Sequence, residues 1–280
     1  MKKTVLRLAL ILTFFIPTSI LALNTTDQLT NETLDKLIVL SGIDKQVSQY
    51  PAGINAGIEQ ANEQAQKKLS DVELKEMKKA VSDAFQASAI LNTLRVNIKQ
   101  NISEADAKEV LKWYESDLGK KITKVEEEAS TPAAYKEMQK EAKTLAADKE
   151  RVAFAVKIDD LLHISDMMVE LLENTQIAVI VAISKTQYPD RDVNVNTLKT
   201  QFAPYKQQVK AKYRQIGILS MVYTYKTISI KDLNKYLRFL ERQNTMKFNK
   251  SIILGFKEAF NESIEKMANS LALTFAKYNH

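Results

Sequence analysis

Twice in this chain a serine stands immediately before an amphipathic stretch, with an aspartate three positions after it. The first stretch is ISEADAKEVLKWYESDLGKK, Ile102 to Lys121, and the second is ISIKDLNKYLRFLER, Ile228 to Arg242. A serine in that position caps a helix with its hydroxyl, and an aspartate in the first turn is favoured by the helix dipole. The two stretches therefore predict two similar helices. Ile102 and Ile228, Ser103 and Ser229, Asp106 and Asp232, Leu111 and Leu237, and Glu115 and Glu241 all stand 126 positions apart, with Trp113 answered by Phe239. Earlier, Leu40-Ser41-Gly42 is answered by Ile164-Ser165-Asp166 at an offset of 124. Two related offsets in the same order predict a duplication, with one helical half over residues 31–148 and a divergent copy over 149–280. The period is that of a whole domain, so a short solenoid repeat is excluded.

What lies between the echoes also favours helix. The 280 residues include only 6 glycines and 5 prolines, too few for the tight turns that strands require. An all-α, multi-helix bundle is predicted. Ser70 with Glu73 has capping-box spacing and opens a long helix whose buried stripe runs through Leu74, Met77, Val81, Phe85 and Leu91. Pro51 is placed to begin a helix, and Thr131-Pro132 is a cap followed by an N1 proline. The charged run from Lys136 to Arg151 reads as an exposed connector. Ile177 to Ile183 is apolar on every side but too short to span a bilayer, so it reads as a buried central helix. A long helix from about Val195 to Tyr225 is expected to bend or break at Pro204, and Asn249 to Asn279 closes the chain as an amphipathic helix.

Within the first echo, Leu111-Lys112-Trp113-Tyr114-Glu115-Ser116 followed by Gly119-Lys120-Lys121 resembles the aromatic-Tyr-x-Ser-x-x-Gly-x-Lys signature of a helical family of exported bacterial proteins, domain of unknown function 2059. The resemblance covers roughly Leu34 to Ala142, and more loosely Ile158 to Phe275. It marks Trp113, Tyr114, Ser116 and Gly119 as a structural signature and implies an all-helical exported protein, with no catalytic residues to carry over. The second copy lacks the Ser and Gly between Arg242 and Lys247, which puts its bend in question.

Lys2, Lys3 and Arg7, the apolar run from Leu8 to Ile16 and the small residue Ala22 have the layout of a secretory signal over residues 1–22. A periplasmic location is expected, with no transmembrane span in the mature chain. Without those three cations the 40 basic residues become 37 against 34 acidic ones, a net of +3. A nucleic-acid partner is therefore not expected. Cysteine is absent, which removes disulfides, thiolate metal sites and thiol nucleophiles.

Two constellations invite a chemical reading. Asp159, His163, Asp166 and Glu170 would share one face of a continuous helix, but a single imidazole among carboxylates is a poor zinc site, and the face reads as solvated. Glu126, Glu127 and Glu128, with Glu137 and Glu141 nearby, could supply paired acids for glycoside hydrolysis. Charge runs are ordinarily solvated helix faces, and this run reads as one. No cofactor, metal or catalytic residue is assigned.

Charge is unevenly distributed. Residues 191–250 carry 13 Lys or Arg against Asp192, Asp232 and Glu241. Lys206, Lys210, Lys212 and Arg214 form one basic set, and Lys231, Lys235, Arg238 and Arg242 another. They predict a non-catalytic binding or scaffolding module that associates with an anionic envelope surface. The alternatives are docking of the basic second half on the acidic first half, an ordinary lysine-rich surface, and an interaction or chaperone-like module that holds another envelope protein in helical grooves. An envelope hydrolase ranks below these.

Overall fold

A computed structural model describes residues 28–66, 68–188, 190 and 192–278, and for 275–278 the backbone alone. The expected signal segment lies outside the described residues. Thirteen α-helices follow one another, and no strand forms among the described residues. One isolated antiparallel bridge joins Gln28 to Ser103.

Side-chain caps set most of the starts. Thr30 caps α1 (Asn31–Leu40), and Gly42 separates it from α2 (Ile43–Gln64). Ser70 and Glu73 form the expected reciprocal capping box at the start of α3 (Asp71–Ala84), and α4 (Ala87–Asn101) follows. Ser103 opens α5 (Glu104–Tyr114), Ser116 opens α6 (Asp117–Ala129) and Thr131 opens α7 (Pro132–Ala147). Asp148 caps α8 (Lys149–Leu162), and α9 (Ile164–Gln187) follows at once. Asn194 caps α10 (Val195–Phe202), which passes through a 3-10 turn at Ala203–Tyr205 into α11 (Lys206–Thr224), so Pro204 is a boundary as expected. Ser229 caps α12 (Ile230–Leu240), and α13 (Gln243–Tyr278) closes the described chain. At 36 residues α13 is about 54 Å long, and it lies against α4 and α9 for much of its course, with α3 and α5 alongside.

The largest core draws on both sides of Asp148. Leu37, Ile90, Leu94, Ile98, Val110 and Ile122 meet Ile228, Leu233, Phe239 and Phe248, all at 1% exposure or less. The only described residues with positive φ are Gly42 (72°) and His163 (53°). Each separates a short helix from a long one, α1 from α2 and α8 from α9. A left-handed residue reverses the chain between two helices in a single step. At Gly42 a side chain would be strained and would also meet Thr123 and Glu127 of α6.

Packing corrects several expectations. Pro51 does not open a helix but sits inside α2. Val47 on one side and Ile54 and Ile58 on the other are held by core contacts, so the helix continues across it. The helix begun at Ser70 stops at Phe85, which leaves helical geometry and turns into the core edge-on to Phe260. α7 is no mere connector, because Met138 and Leu145 are buried against α11. Ile177–Ile183 is only the middle of α9 and is not fully buried. Ala178, Val179 and Ala182 contact α13, while Ile180 is 46% exposed. α9, 24 residues long, is long and apolar enough to cross a membrane by length and composition, and 22% of its apolar window is buried.

Candidate anion-binding face

The signature residues build a hinge. Ser116 Oγ accepts from Gly119 N at 3.0 Å and donates to Trp113 O at 2.6 Å, closing the turn between α5 and α6. A Cβ on Gly119 would lie 1.9 Å from Trp113 O, so glycine is required by close backbone approach rather than by φ. The hinge fixes Trp113, whose ring stacks on Phe239 of α12 with centroids 4.5 Å apart and planes 7° apart. Tyr114 meets Phe239 and Phe248 edge-on. Residues at equivalent positions of the two echoed helices thus touch each other.

α12 is held from three further directions. Arg151 donates to Tyr225 O (3.2 Å) and Ile228 O (2.8 Å), fixing the turn before Ser229, and is itself paired with Asp148. Glu126 of α6 accepts from the Tyr225 hydroxyl at 2.6 Å and the Tyr236 hydroxyl at 2.8 Å, both on Oε1. Lys247, just beyond α12, pairs with Asp106 at 2.7 Å. Burial pushes the Glu126 carboxyl above its usual range, although both phenols pull it down. The same burial, with Glu126 beside them, pushes both phenols well up. The reading of Glu126 as a solvated charge is therefore corrected, because it lies within reach of both hydroxyls at the junction of α6, α11 and α12. Its neighbours are dispersed into separate pairs: Glu127 with Lys45, Glu137 with Lys140 and Glu141 with Lys226.

With its apolar residues Leu233, Tyr236, Phe239 and Leu240 buried, α12 turns Lys231, Lys235, Arg238 and Arg242 outward, and all four are exposed. Spacing of four and three places Lys231, Lys235 and Arg238 on one face of α12, and Arg242 stands in the bend just beyond it. Lys235 pairs with Asp232 at 2.8 Å, and Lys121 of α6 stands close enough to join Lys235 and Ser229 in lowering the Asp232 pKa. Lys231, Arg238 and Arg242 make no ion pair among the described residues. Beside the stripe is an open cavity of about 530 Å³ lined by Trp113, Lys235, Arg238, Glu241 and Arg242. The bend after α12 forms without the Ser and Gly of the signature, because Glu241 N and Arg242 N bond back to Leu237 O and Phe239 O.

The other basic set lies elsewhere and in a different state. Lys206 pairs with Glu173 at 3.2 Å, Lys210 with Asp166 at 2.5 Å, and Arg214 with Asp159 at 3.3 Å and with Asp160. Lys212 is exposed and makes no ion pair among the described residues. Asp159 is 4% exposed and also accepts from Ser165 N and Oγ. It is therefore not on a solvated face, and the left-handed His163 breaks the continuous helix that would have aligned Asp159, His163, Asp166 and Glu170. Among the described residues no group of three His, Asp or Glu is placed to hold a metal ion.

Residues 92–148 match the model of a family described as an uncharacterized protein conserved in bacteria (DUF2059). The match runs from within α4 to the end of α7, and so contains the Trp113–Gly119 hinge and Glu126. No curated protein and no solved structure matches the chain. The residues that sequence reasoning missed are Arg151, Tyr225 and Tyr236. Tyr225 and Tyr236 lie 99 and 110 positions from Glu126, so no local spacing announces the contact.

Proposed function

We propose that this protein is exported and works without catalysis as a module that associates with an anionic envelope surface through the outward face of α12. The observation that carries this reading is the row Lys231, Lys235, Arg238 and Arg242, in which three of the four cations are left without a carboxylate partner among the described residues. Cations near an anionic bilayer contribute roughly 1 kcal/mol each. The α5–α6 hinge, Glu126 and Arg151 hold that row in place, which is a scaffold's role. On this reading the halves arose by duplication.

Co-sedimentation of residues 23–280 with neutral and anionic vesicles across a salt series tests the proposal. Binding to anionic vesicles alone, weakening steeply with salt, is the expected result. Absence of binding at low salt would overturn it.

A second reading has its own observation. The groove of about 550 Å³ between α9, α10 and α13 is lined by Ile177, Ala178, Val181, Val195 and Ile264 with Asn174, Lys185, Lys199, Asn261, Glu265 and Asn269 among them, and a groove of this mixed lining suits an amphipathic partner helix. Crosslinking that captured a partner through α9, insensitive to salt, would favour it over the surface reading.

A further inference from the structure

The cavity beside Trp113 has more specific chemistry than a general basic surface needs. We infer that it is a headgroup site that takes the phosphate of an anionic glycerophospholipid; the inference rests on the surface reading above and gives that surface its ligand. Arg238, in the last turn of α12, and Arg242, in the bend that follows it, both line the cavity. Both are exposed, and neither meets a carboxylate among the described residues. Two guanidinium groups with uncommitted N–H donors suit phosphate oxygens, which they can grip in a bidentate fashion. Lys235, tethered by Asp232 at 2.8 Å, brings a third cation to the same wall.

The indole of Trp113 completes the lining. Trp113 cannot swing away, because its ring lies flat on Phe239 and stacks with Tyr236 at 5.8 Å. Its Nε1–H is buried and has no acceptor among the described residues. Glu241 is the one carboxylate among the lining residues. It repels an anion that sits deep beside it and so favours a phosphate held toward Arg238 and Arg242. The open mouth leaves room for a glycerol moiety and its acyl chains to remain in a bilayer, the level at which tryptophan is enriched.

Trp113 is the only tryptophan in the chain, so its emission reports on this cavity alone. The probes are dihexanoylphosphatidylglycerol below its micelle concentration, inorganic phosphate, and a zwitterionic short-chain phosphatidylcholine as control. A saturable change with phosphatidylglycerol, at least tenfold weaker with inorganic phosphate and with phosphatidylcholine, is expected. Arg238→Gln with Arg242→Gln should weaken that titration at least tenfold with an unchanged far-UV spectrum. Trp113→Phe keeps a stacked ring but takes away part of the cavity wall, and should weaken binding to phosphatidylglycerol vesicles about fivefold. Equal saturation by inorganic phosphate would make the ligand a free phosphate and overturn the lipid assignment. Vesicle binding with silent Trp113 emission would overturn the headgroup site while leaving the surface reading intact. An emission change without vesicle binding would remove the surface reading and the lipid assignment together.

Discussion

The basic residues of α11 and of α12 look alike along the chain and behave differently in the fold. On α11, Lys206, Lys210 and Arg214 face Glu173, Asp166, Asp159 and Asp160, so their charge is used in joining α11 to α8 and α9. On α12, Lys231, Arg238 and Arg242 face outward with no such partners among the described residues. The difference lies in what surrounds the two helices. α11 packs on α8 and α9, whose facing sides carry carboxylates. α12 is pinned from beneath by Trp113, Glu126 and the core, which leaves its polar side uncovered. The carboxylates that meet α11 belong to residues 149–280, so these cations are paired within their own half and not by docking on the acidic first half.

The largest effect expected from breaking this comparison is on binding. Arg238→Glu with Arg242→Glu removes two cations and adds two anions, about 4 kcal/mol at an anionic surface or roughly a thousandfold in affinity. The melting temperature should stay within about a degree, since no ion pair among the described residues is lost. Lys212→Glu, on the exposed face of α11, should change binding far less. Equal losses from the two variants in co-sedimentation would erase the distinction between the helices.

Next in size is the hinge. Gly119→Ala drives a methyl group into Trp113 O, a backbone atom that cannot turn aside, and should destabilise by about 3 kcal/mol. Near-UV circular dichroism should report loss of the Trp113–Phe239 stack. An unchanged near-UV spectrum would show that α12 does not depend on the hinge.

On the other side of the comparison, Arg214→Met leaves the buried Asp159 with only its two bonds from Ser165. Because Arg214 is itself a third exposed, the loss should be about 2 kcal/mol, below the range for a fully buried pair. Chemical denaturation measures it, and vesicle binding should be retained. Loss of binding in this variant would place α11 in the surface site.

The smallest effect concerns the joint between the two helices. Glu126 has a folded-state pKa raised above its ordinary 4.5, so the fold favours the protonated acid. Its contribution is most favourable below about pH 4.5 and declines as pH rises through the raised pKa. Glu104 runs the other way. Burial raises its pKa, but bonds from Thr30 N and Thr33 Oγ1, together with Lys108, outweigh that and hold it at about 2. Its stabilising contribution is present above the ordinary 4.5 and is lost as pH falls toward 2. Glu126→Gln should therefore flatten the neutral side of a stability–pH profile, and Glu104→Gln the acid side. A Glu126→Gln profile that tracks the wild type at every pH would show that this carboxyl carries no linkage.

Much of the architecture was legible beforehand. Ser70 with Glu73, Ser103, Thr131 with Pro132 and Ser229 each start a helix where expected, because a cap is a contact over three residues and needs nothing distant. The break at Pro204 has the same local origin. Pro51 and Phe85 were misread for the opposite reason. Core contacts on both sides carry α2 across its proline, and Phe85 leaves its helix to reach Phe260. The sequence by itself determined a helical chain and its caps, since these follow from hydrogen bonds and side-chain periodicity within a few turns. Only tertiary structure decided that Glu126 turns toward two tyrosines, that Asp159 is buried against Arg214, and that Trp113 walls a cavity beside Arg238. These outcomes depend on helices tens to more than a hundred residues apart coming into contact, and it is burial there that separates a paired charge from an open one.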